Sequence, residues 1–497
     1  MHVTRLDDTK VNVKSLRLHD FFLFSVCLSC KTPSLTAFHS CSLQPHLVTT
    51  TTSSPTCIHP IDIDTTNRHA TTMAQVILSI NAGSSSVKVS VYTFTPSSDS
   101  PPISVADISI AGLTAPPVSL TYSRGDTSVA KNKKLDKISN AQDAFAAILE
   151  HLTSDSELTQ LQHPDDVAFA CHRIVHGGSY SKPTRIDSDT YHHLESLSAL
   201  APLHNAGALE IVKAVHASVP KATNIAFFDS AFHATIPIET RTYMIDPAKA
   251  KQNGLRKYGF HGLSYAFIAR SVASHISKPL DQLNIIALHL GSGASACAIL
   301  QGKSIDTTMG LTPLSGLPGA TRSGDVDPSL IFHFTHDAGQ PSPGSSKALH
   351  VTRAEEILNK ESGWKALTGT TDFGAVSEKA AQGDEAAKLA FDVFVNRLVA
   401  YIGSYFVRLG GEIDALVFAG GIGEHGGALR EAVCKKVKCL GFELDLGKNG
   451  KLGDEIVQDI GQSQGQAQGK RILVCKTDEQ AEMAEQCARE AEELRRP

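Results

Sequence analysis

The stretches Ile77-Leu78-Ser79-Ile80-Asn81-Ala82-Gly83-Ser84-Ser85-Ser86 and Ile286-Ala287-Leu288-His289-Leu290-Gly291-Ser292-Gly293-Ala294-Ser295 share one plan: an apolar strand, a Gly/Ser turn, then a second apolar strand. A supersecondary unit repeated within one chain points to two related α/β domains. Each copy would offer its turn to a shared cleft, where backbone N–H groups and hydroxyls can approach phosphate oxygens with no bulky side chain in the way. Either turn alone is as readily an ordinary tight hairpin. A third Gly-rich loop, Gly420-Gly421-Ile422-Gly423-Glu424, follows the apolar run Ala415 to Ala419.

Outward from these turns, apolar runs of strand length alternate with stretches of helical period. The strand candidates are Val76 to Ile80, Val87 to Tyr92, Ile285 to Leu290 and Ala415 to Ala419. The helical candidates are Ala141 to Leu152, Ala208 to Val215, Glu385 to Arg408 and Asp478 to Arg495. That alternation predicts an α/β architecture. Thr477 and Gln480 have the spacing of a capping box for the last helix, and Gly339 to Ser346 and Gly461 to Gly469 read as loops. Residues 1–72 differ: 21 of them are Ser or Thr and no periodicity lasts, so a disordered extension is expected, with the working chain starting at Met73. Asp7, Asp8 and Asp20 argue against a transit peptide, which usually avoids acids.

Composition narrows the function. The 497 residues carry 46 Lys+Arg against 51 Asp+Glu, a net charge of −5, and 41% are hydrophobic. This mildly acidic balance argues against a dedicated nucleic-acid binder or a polybasic membrane protein. The longest apolar stretch near the start, Phe21 to Cys30 with two serines inside, is too short to span a bilayer, and no membrane span is expected. Ten cysteines include only one CxxC, Cys27 to Cys30, with no second pair to complete a zinc site. Free thiols in a reducing, cytoplasmic setting fit best.

Neither GxxxxGK[ST] nor GxGxxG with its distal acid is present, and the protein-kinase signature set is missing, so phosphate handling must use another fold. Lys88 adds a cation on the strand leaving the first turn. Arg173 lies beside Gly177 and Gly178, and Arg322 sits among small residues in a turn-rich loop. Two guanidinium groups from separate loops could clamp one anion, whereas a buried structural ion pair is the plainer alternative for Arg173. Asp229 follows an apolar run and His261 stands between glycines in an aromatic setting. Each alone is more often structural than catalytic.

The motifs Asn81-Ala-Gly-Ser-Ser-Ser-Val-Lys88, His172-Arg-Ile-Val-His-Gly-Gly178, Leu200-Ala-Pro-Leu-His-Asn205, Phe228-Asp-Ser-Ala-Phe-His233, Tyr258-Gly-Phe-His-Gly262, His289-Leu-Gly-Ser-Gly293, Ala320-Thr-Arg-Ser-Gly-Asp325 and Gly420-Gly-Ile-Gly-Glu424 resemble, in that order, those of the acetate kinase family. Eight motifs in one order are far more specific than any single loop. The resemblance implies two duplicated ribonuclease H-like domains of the actin-like ATPase fold flanking a nucleotide cleft. The boundaries would be 73–228 plus 479–497 for the first domain and 229–478 for the nucleotide-binding second. It implies reversible phosphoryl transfer between ATP and acetate, giving acetyl phosphate and ADP, with Mg²⁺ and a typically homodimeric assembly.

Carried over position by position, Asn81 and Glu479 match metal-site residues, and Ser84, Ser86 and Lys88 lie near the nucleotide phosphates. His289, Leu290, Gly291, Ser292 and Gly293 would face the nucleotide, as would Gly420, Gly421, Ile422 and Gly423. Arg173 would hold the substrate, with Val175, Leu203, Phe260 and Pro313 forming the pocket for the acetate methyl. Asp229, His261 and Arg322 match the catalytic residues. Two positions depart from the family pattern: Ser292 stands where bacterial members usually have Asn, and Asp478-Glu479-Gln480 where paired acids are usual. A propionate or butyrate kinase of the same fold is the near alternative, and a nucleotide-dependent binding switch like Hsp70 or actin the distant one.

Overall fold

The computed structural model describes residues 74–83, 85–96, 100–113, 116–197, 202–343, 345, 350–462 and 470–496. The expected extension 1–72, Met73, Ser84 and most of the Gly461 to Gly469 loop lie outside the described residues.

Two sheets carry the fold. The first contains β1 (Gln75–Ala82), β2 (Ser86–Phe94), β3 (Ile103–Ala111), β4 (Ser119–Arg124), β5 (Thr127–Lys134), β6 (Val167–Ile174), β7 (Thr184–Arg185) and β8 (Thr223–Phe228). Their order is β5-β4-β3-β2-β1-β6-β8-β7. The second contains β9 (Ile285–Leu290), β10 (Ala294–Leu300), β11 (Lys303–Thr307), β12 (Ala415–Ala419), β13 (Val457–Asp459) and β14 (Arg471–Cys475), in the order β11-β10-β9-β12-β14-β13. The duplication read from the turns is explicit in the pairing. In both sheets an antiparallel β-meander, β3-β2-β1 or β11-β10-β9, continues into two parallel strands, β6-β8 or β12-β14.

Strand parity decides what each face meets, because successive side chains point to opposite sides. On β1, Val76, Leu78 and Ile80 join the core built with the helices Ala141–Ser154 and Pro202–Ser218. Ile77 faces the other way, into the core shared with the C-terminal helix Glu479–Arg495. Phe169 and Cys171 of β6 and Ile225 and Phe227 of β8 share that second face. In the second sheet Ile286, Leu288 and Leu290 meet the helix Glu385–Arg408, whereas Ile285 and Ala287 meet the helix Gly262–His275.

The helix Glu385–Arg408 begins and ends where its period predicts and is capped by Asp384, which accepts from the Ala387 N–H. By length and composition alone it could cross a membrane. Its apolar face from Ala387 to Tyr405 packs in the core of the second sheet, as core helices of this composition do. Two local expectations are corrected. Asp478, not Thr477, caps the last helix, accepting from the Gln480 and Ala481 N–H groups, and Gln480 donates to Ser90 instead of folding back. The stretch from Gly420 is not a loop but the short helix Gly420–His425. Gly420 permits that turn: its φ is +74°, and a Cβ there would lie 2.8 Å from the Leu290 carbonyl oxygen.

Candidate active site

Continuing the parity of the first sheet by one step places the site. Ile77, Ser79 and Asn81 lie on one face of β1, Phe169, Cys171 and Arg173 on the same face of β6, and Ile225, Phe227 and then Asp229 at the end of β8. Each row is apolar under the C-terminal helix and turns polar where that helix begins, at Glu479. The carboxyl ends of these neighbouring strands form the crevice in which open α/β sheets bind ligands.

Arg173 ties the residues together. Its Nε and Nη2 donate to the two oxygens of Asp229 at 3.0 and 2.7 Å. Nη1 donates to Asn81 Oδ1 at 3.3 Å and lies 3.2 Å from Glu479 Oε2, while Asn81 Nδ2 donates to Glu479 Oε2 at 3.0 Å. Burial by itself would lower the guanidinium pKa, but Asp229 and Glu479 outweigh it and the group is held firmly charged. Burial pushes the Asp229 carboxyl up, Arg173 pulls it back, and Glu479 adds repulsion. The net direction is upward, and the two-point bond to Arg173 keeps the group ionised near neutrality. Arg173, expected to hold the substrate, has most of its donors engaged by Asp229, Asn81 and Glu479 in this structure.

A second cluster comes from the other half. His261 precedes the helix Gly262–His275 in the left-handed conformation, φ +60°. Its Nδ1 lies 2.8 Å from Ser295 Oγ, which is 2.6 Å from the Tyr265 hydroxyl. The His261 ring stacks on His289 at 4.1 Å between centroids. His289 Nδ1 bonds Ser264 Oγ at 2.7 Å, and Ser264 in turn bonds Thr477 Oγ1 at 2.7 Å. Burial first, then the His289, Arg173 and Arg322 charges, push the His261 pKa well below its usual value. Burial and Arg173 bring His289 down to about 4, against a smaller opposing pull from Asp229. Both rings are therefore neutral at neutral pH. Gly262 fastens this cluster to the first: its N–H donates to the Asp229 carbonyl at 2.9 Å, and a Cβ there would sit 2.1 Å from that oxygen.

Arg322 completes the arrangement. The second Gly/Ser turn holds its loop, with the Ala320 N–H donating to the Ser292 carbonyl at 2.8 Å. A Cβ on Gly293 would meet Arg322 Nη2 at 2.0 Å and His261 Nε2 at 3.7 Å, so only glycine leaves room for that guanidinium. Among the described residues no carboxylate pairs with Arg322, and burial lowers its pKa with nothing opposing. A half-buried cation without a counter-ion, beside a neutral imidazole, is arranged for an anion that arrives from solution.

Of the other predicted residues, Lys88 is exposed and pairs across the hairpin with Asn81. Ser86 begins β2 behind a tight turn in which Gly83 donates to the Ser86 carbonyl. Val175 and Phe260 pack in one apolar cluster with Tyr258, Met309 and Leu311, and buried Pro313 lies two residues beyond Leu311. Leu203 is in the helix Pro202–Ser218, with its side chain outside the described residues. Ser292 is exposed on its turn. Ser264, Tyr265, Ser295 and Thr477 are not among the site residues expected from the sequence. Helical spacing from His261 to Ser264 and the cross-strand position of Ser295 opposite His289 were the available signals.

Residues 76–485 match the model of the acetokinase family. The chain belongs to the acetokinase family. A relative named "Probable acetate kinase" from Emericella nidulans is 52% identical over 415 residues, covering 83% of this chain and 97% of its own. Among solved structures, a propionate kinase from Francisella tularensis superposes with a TM-score of 0.70 at 31% identity, over 83% of this chain and 98% of that one. An acetate kinase from Porphyromonas gingivalis gives 0.68 at 29% identity over the same shares. The two-sheet architecture is thus the duplicated actin-like ATPase fold of the acetokinase family, and the chain is an enzyme, a kinase, rather than a binding switch.

Proposed function

We propose that this chain transfers the γ-phosphoryl group of ATP to acetate, reversibly, giving acetyl phosphate and ADP by direct in-line displacement. The observation that carries the reading is Arg322, a cation with no counter-ion among the described residues, close to His261 at the cleft of a kinase fold. Acetate is already ionised at neutral pH, so no strong general base is required. The obstacle is repulsion between two anions, and acceleration must come from positioning and charge neutralisation. Arg322 supplies charge where the phosphoryl group passes. Tyr265 donating to Ser295, and Ser295 to His261 Nδ1, leaves the His261 proton on Nε2, which approaches Gly293 as Arg322 Nη2 does. That N–H can donate to a phosphoryl oxygen. Asp229 orients Arg173 and takes no proton.

Magnesium enters with the nucleotide as MgATP. Asn81 and Glu479 fit such an ion: one amide oxygen and one carboxylate suit a small hard cation that draws its other ligands from phosphates and water. Bound there, it would neutralise phosphate charge. Val175 and Phe260 line the acyl pocket, which takes acetate ahead of longer acids. The free thiols among the described residues, most of them buried, support a reducing, cytoplasmic location, and neither nucleic acid nor a membrane is a partner. A homodimer is supported by exposed Leu389, Val393 and Val407, which line the outer face of the helix Glu385–Arg408.

The test is hydroxylamine trapping of acyl phosphate by the full chain with ATP and Mg²⁺, offering acetate, propionate or butyrate. Acetate-dependent hydroxamate that vanishes in Arg322→Ala is the expected result. Preference for a longer acid would favour the propionate kinase reading, and ATP binding without hydroxamate from any acid would sink both.

A further inference from the structure

His176 is fully buried beside the acyl pocket, and no step described above uses it. Its backbone is clamped by buried Asn205, whose Oδ1 accepts from the His176 N–H at 3.0 Å and whose Nδ2 donates to the His176 carbonyl at 2.9 Å. The ring lies against Tyr258 and Phe260, with centroids 4.5 and 5.4 Å away. Nδ1 accepts from the Gly178 N–H at 3.1 Å, which leaves the ring proton on Nε2. Burial brings the ring down to about 4, so it is neutral at working pH. Among the described residues Nε2–H has no hydrogen-bond partner. The Leu311 backbone is close enough to pull the ring pKa upward as a weak acceptor would, yet Nε2 does not reach it in hydrogen-bond geometry. Leu311 belongs to the same wall as Met309 and Phe260. A buried, locked, unused donor beside a carbonyl that just misses it is unusual, since buried polar groups are nearly always paired.

We propose that His176 is a positioning residue that sets the length of the carboxylic acid accepted: its Nε2–H takes up the Leu311 carbonyl when a short acid fills the pocket, drawing the Leu311 wall inward. A longer acid holds that wall off and forfeits the hydrogen bond. This rests on the reading of Val175 and Phe260 as the acyl pocket. It assigns to His176 a part in acid selectivity without contact to the substrate.

The experiment measures kcat/KM for acetate, propionate and butyrate in the full chain and three variants. His176→Asn keeps an acceptor for the Gly178 N–H and removes the Nε2 donor, and His176→Gln places an amide donor near Nε2. Val175→Ala enlarges the pocket directly. The expected result is that His176→Asn shifts the ratio toward the longer acid by about fivefold, through KM for the acid and with KM for ATP unchanged. His176→Gln retains most of the original ratio. A merely structural role would lower turnover for all acids alike. If Val175→Ala shifts the ratio and folded His176→Asn does not, the proposal fails while the pocket reading stands. Should Val175→Ala leave the ratio unmoved, both fail. Where His176→Asn does not fold, NMR of the unmodified, histidine-¹⁵N-labelled protein decides. Nε2–H exchange slowed by acetate but not by butyrate supports the proposal, and equal exchange with both overturns it.

Discussion

The two site arginines differ in what surrounds them, and the difference has opposite consequences for stability and catalysis. Arg173 compensates Asp229, which is 1% exposed, so Arg173→Ala leaves a buried carboxylate alone. Breaking a buried pair from one side costs about 3 kcal/mol, and a clear fall in the thermal midpoint should accompany the loss of activity. Arg322 has no carboxylate partner among the described residues to abandon. Arg322→Ala should lower kcat on the order of a thousandfold while the thermal midpoint stays level or rises; calorimetry beside the hydroxamate assay checks both. Both arginines were legible as anion-binding candidates from their Gly-rich surroundings. That one is engaged and the other open was not, because pairing depends on Asp229 and Glu479, brought from distant parts of the chain.

At the scale of elements, short-range rules succeeded where the answer is local. The strands Ile285–Leu290 and Ala415–Ala419 and the helix Glu385–Arg408 appear with the predicted ends, since period and flanking polar residues define them. The last helix shows the limit. Thr477 and Asp478 are both good caps, and the choice is made by Ser264, which takes the Thr477 hydroxyl and leaves the N–H groups to Asp478. Asp478→Ala should therefore cost about 1 kcal/mol in a denaturant titration and loosen Glu479, raising KM for MgATP. Two glycines divide similarly. Gly293→Ala would drive its Cβ into the mobile end of Arg322 and cost activity with little stability. Gly262→Ala would strike the Asp229 backbone carbonyl and impair folding, which soluble yield and a melting curve would separate.

For the whole molecule, the buried histidines dominate the response to acid. Burial brings His172, His176, His233 and His289 down to about 4 from an ordinary value of 6.5. Between those limits the unfolded chain binds more protons than the folded one, so stability is full above pH 6.5 and falls as pH drops toward 4. Each contributes up to roughly 3 kcal/mol to that loss, and thermal midpoints measured across the interval should decline steeply. The exposed stripe on the helix Glu385–Arg408 belongs to this scale too: Val393→Asp with Val407→Asp should convert the proposed dimer into monomers in sedimentation without abolishing the fold. By itself the sequence determined several of the strands and helices, the duplication and the motif residues, because period, turn chemistry and strand parity are properties of neighbouring positions. Only the tertiary structure decided which charges are neutralised, which cap is used and which donor of His176 stays free. Those outcomes depend on groups hundreds of residues apart meeting in one low-dielectric cleft, where a single partner changes the free energy of the rest.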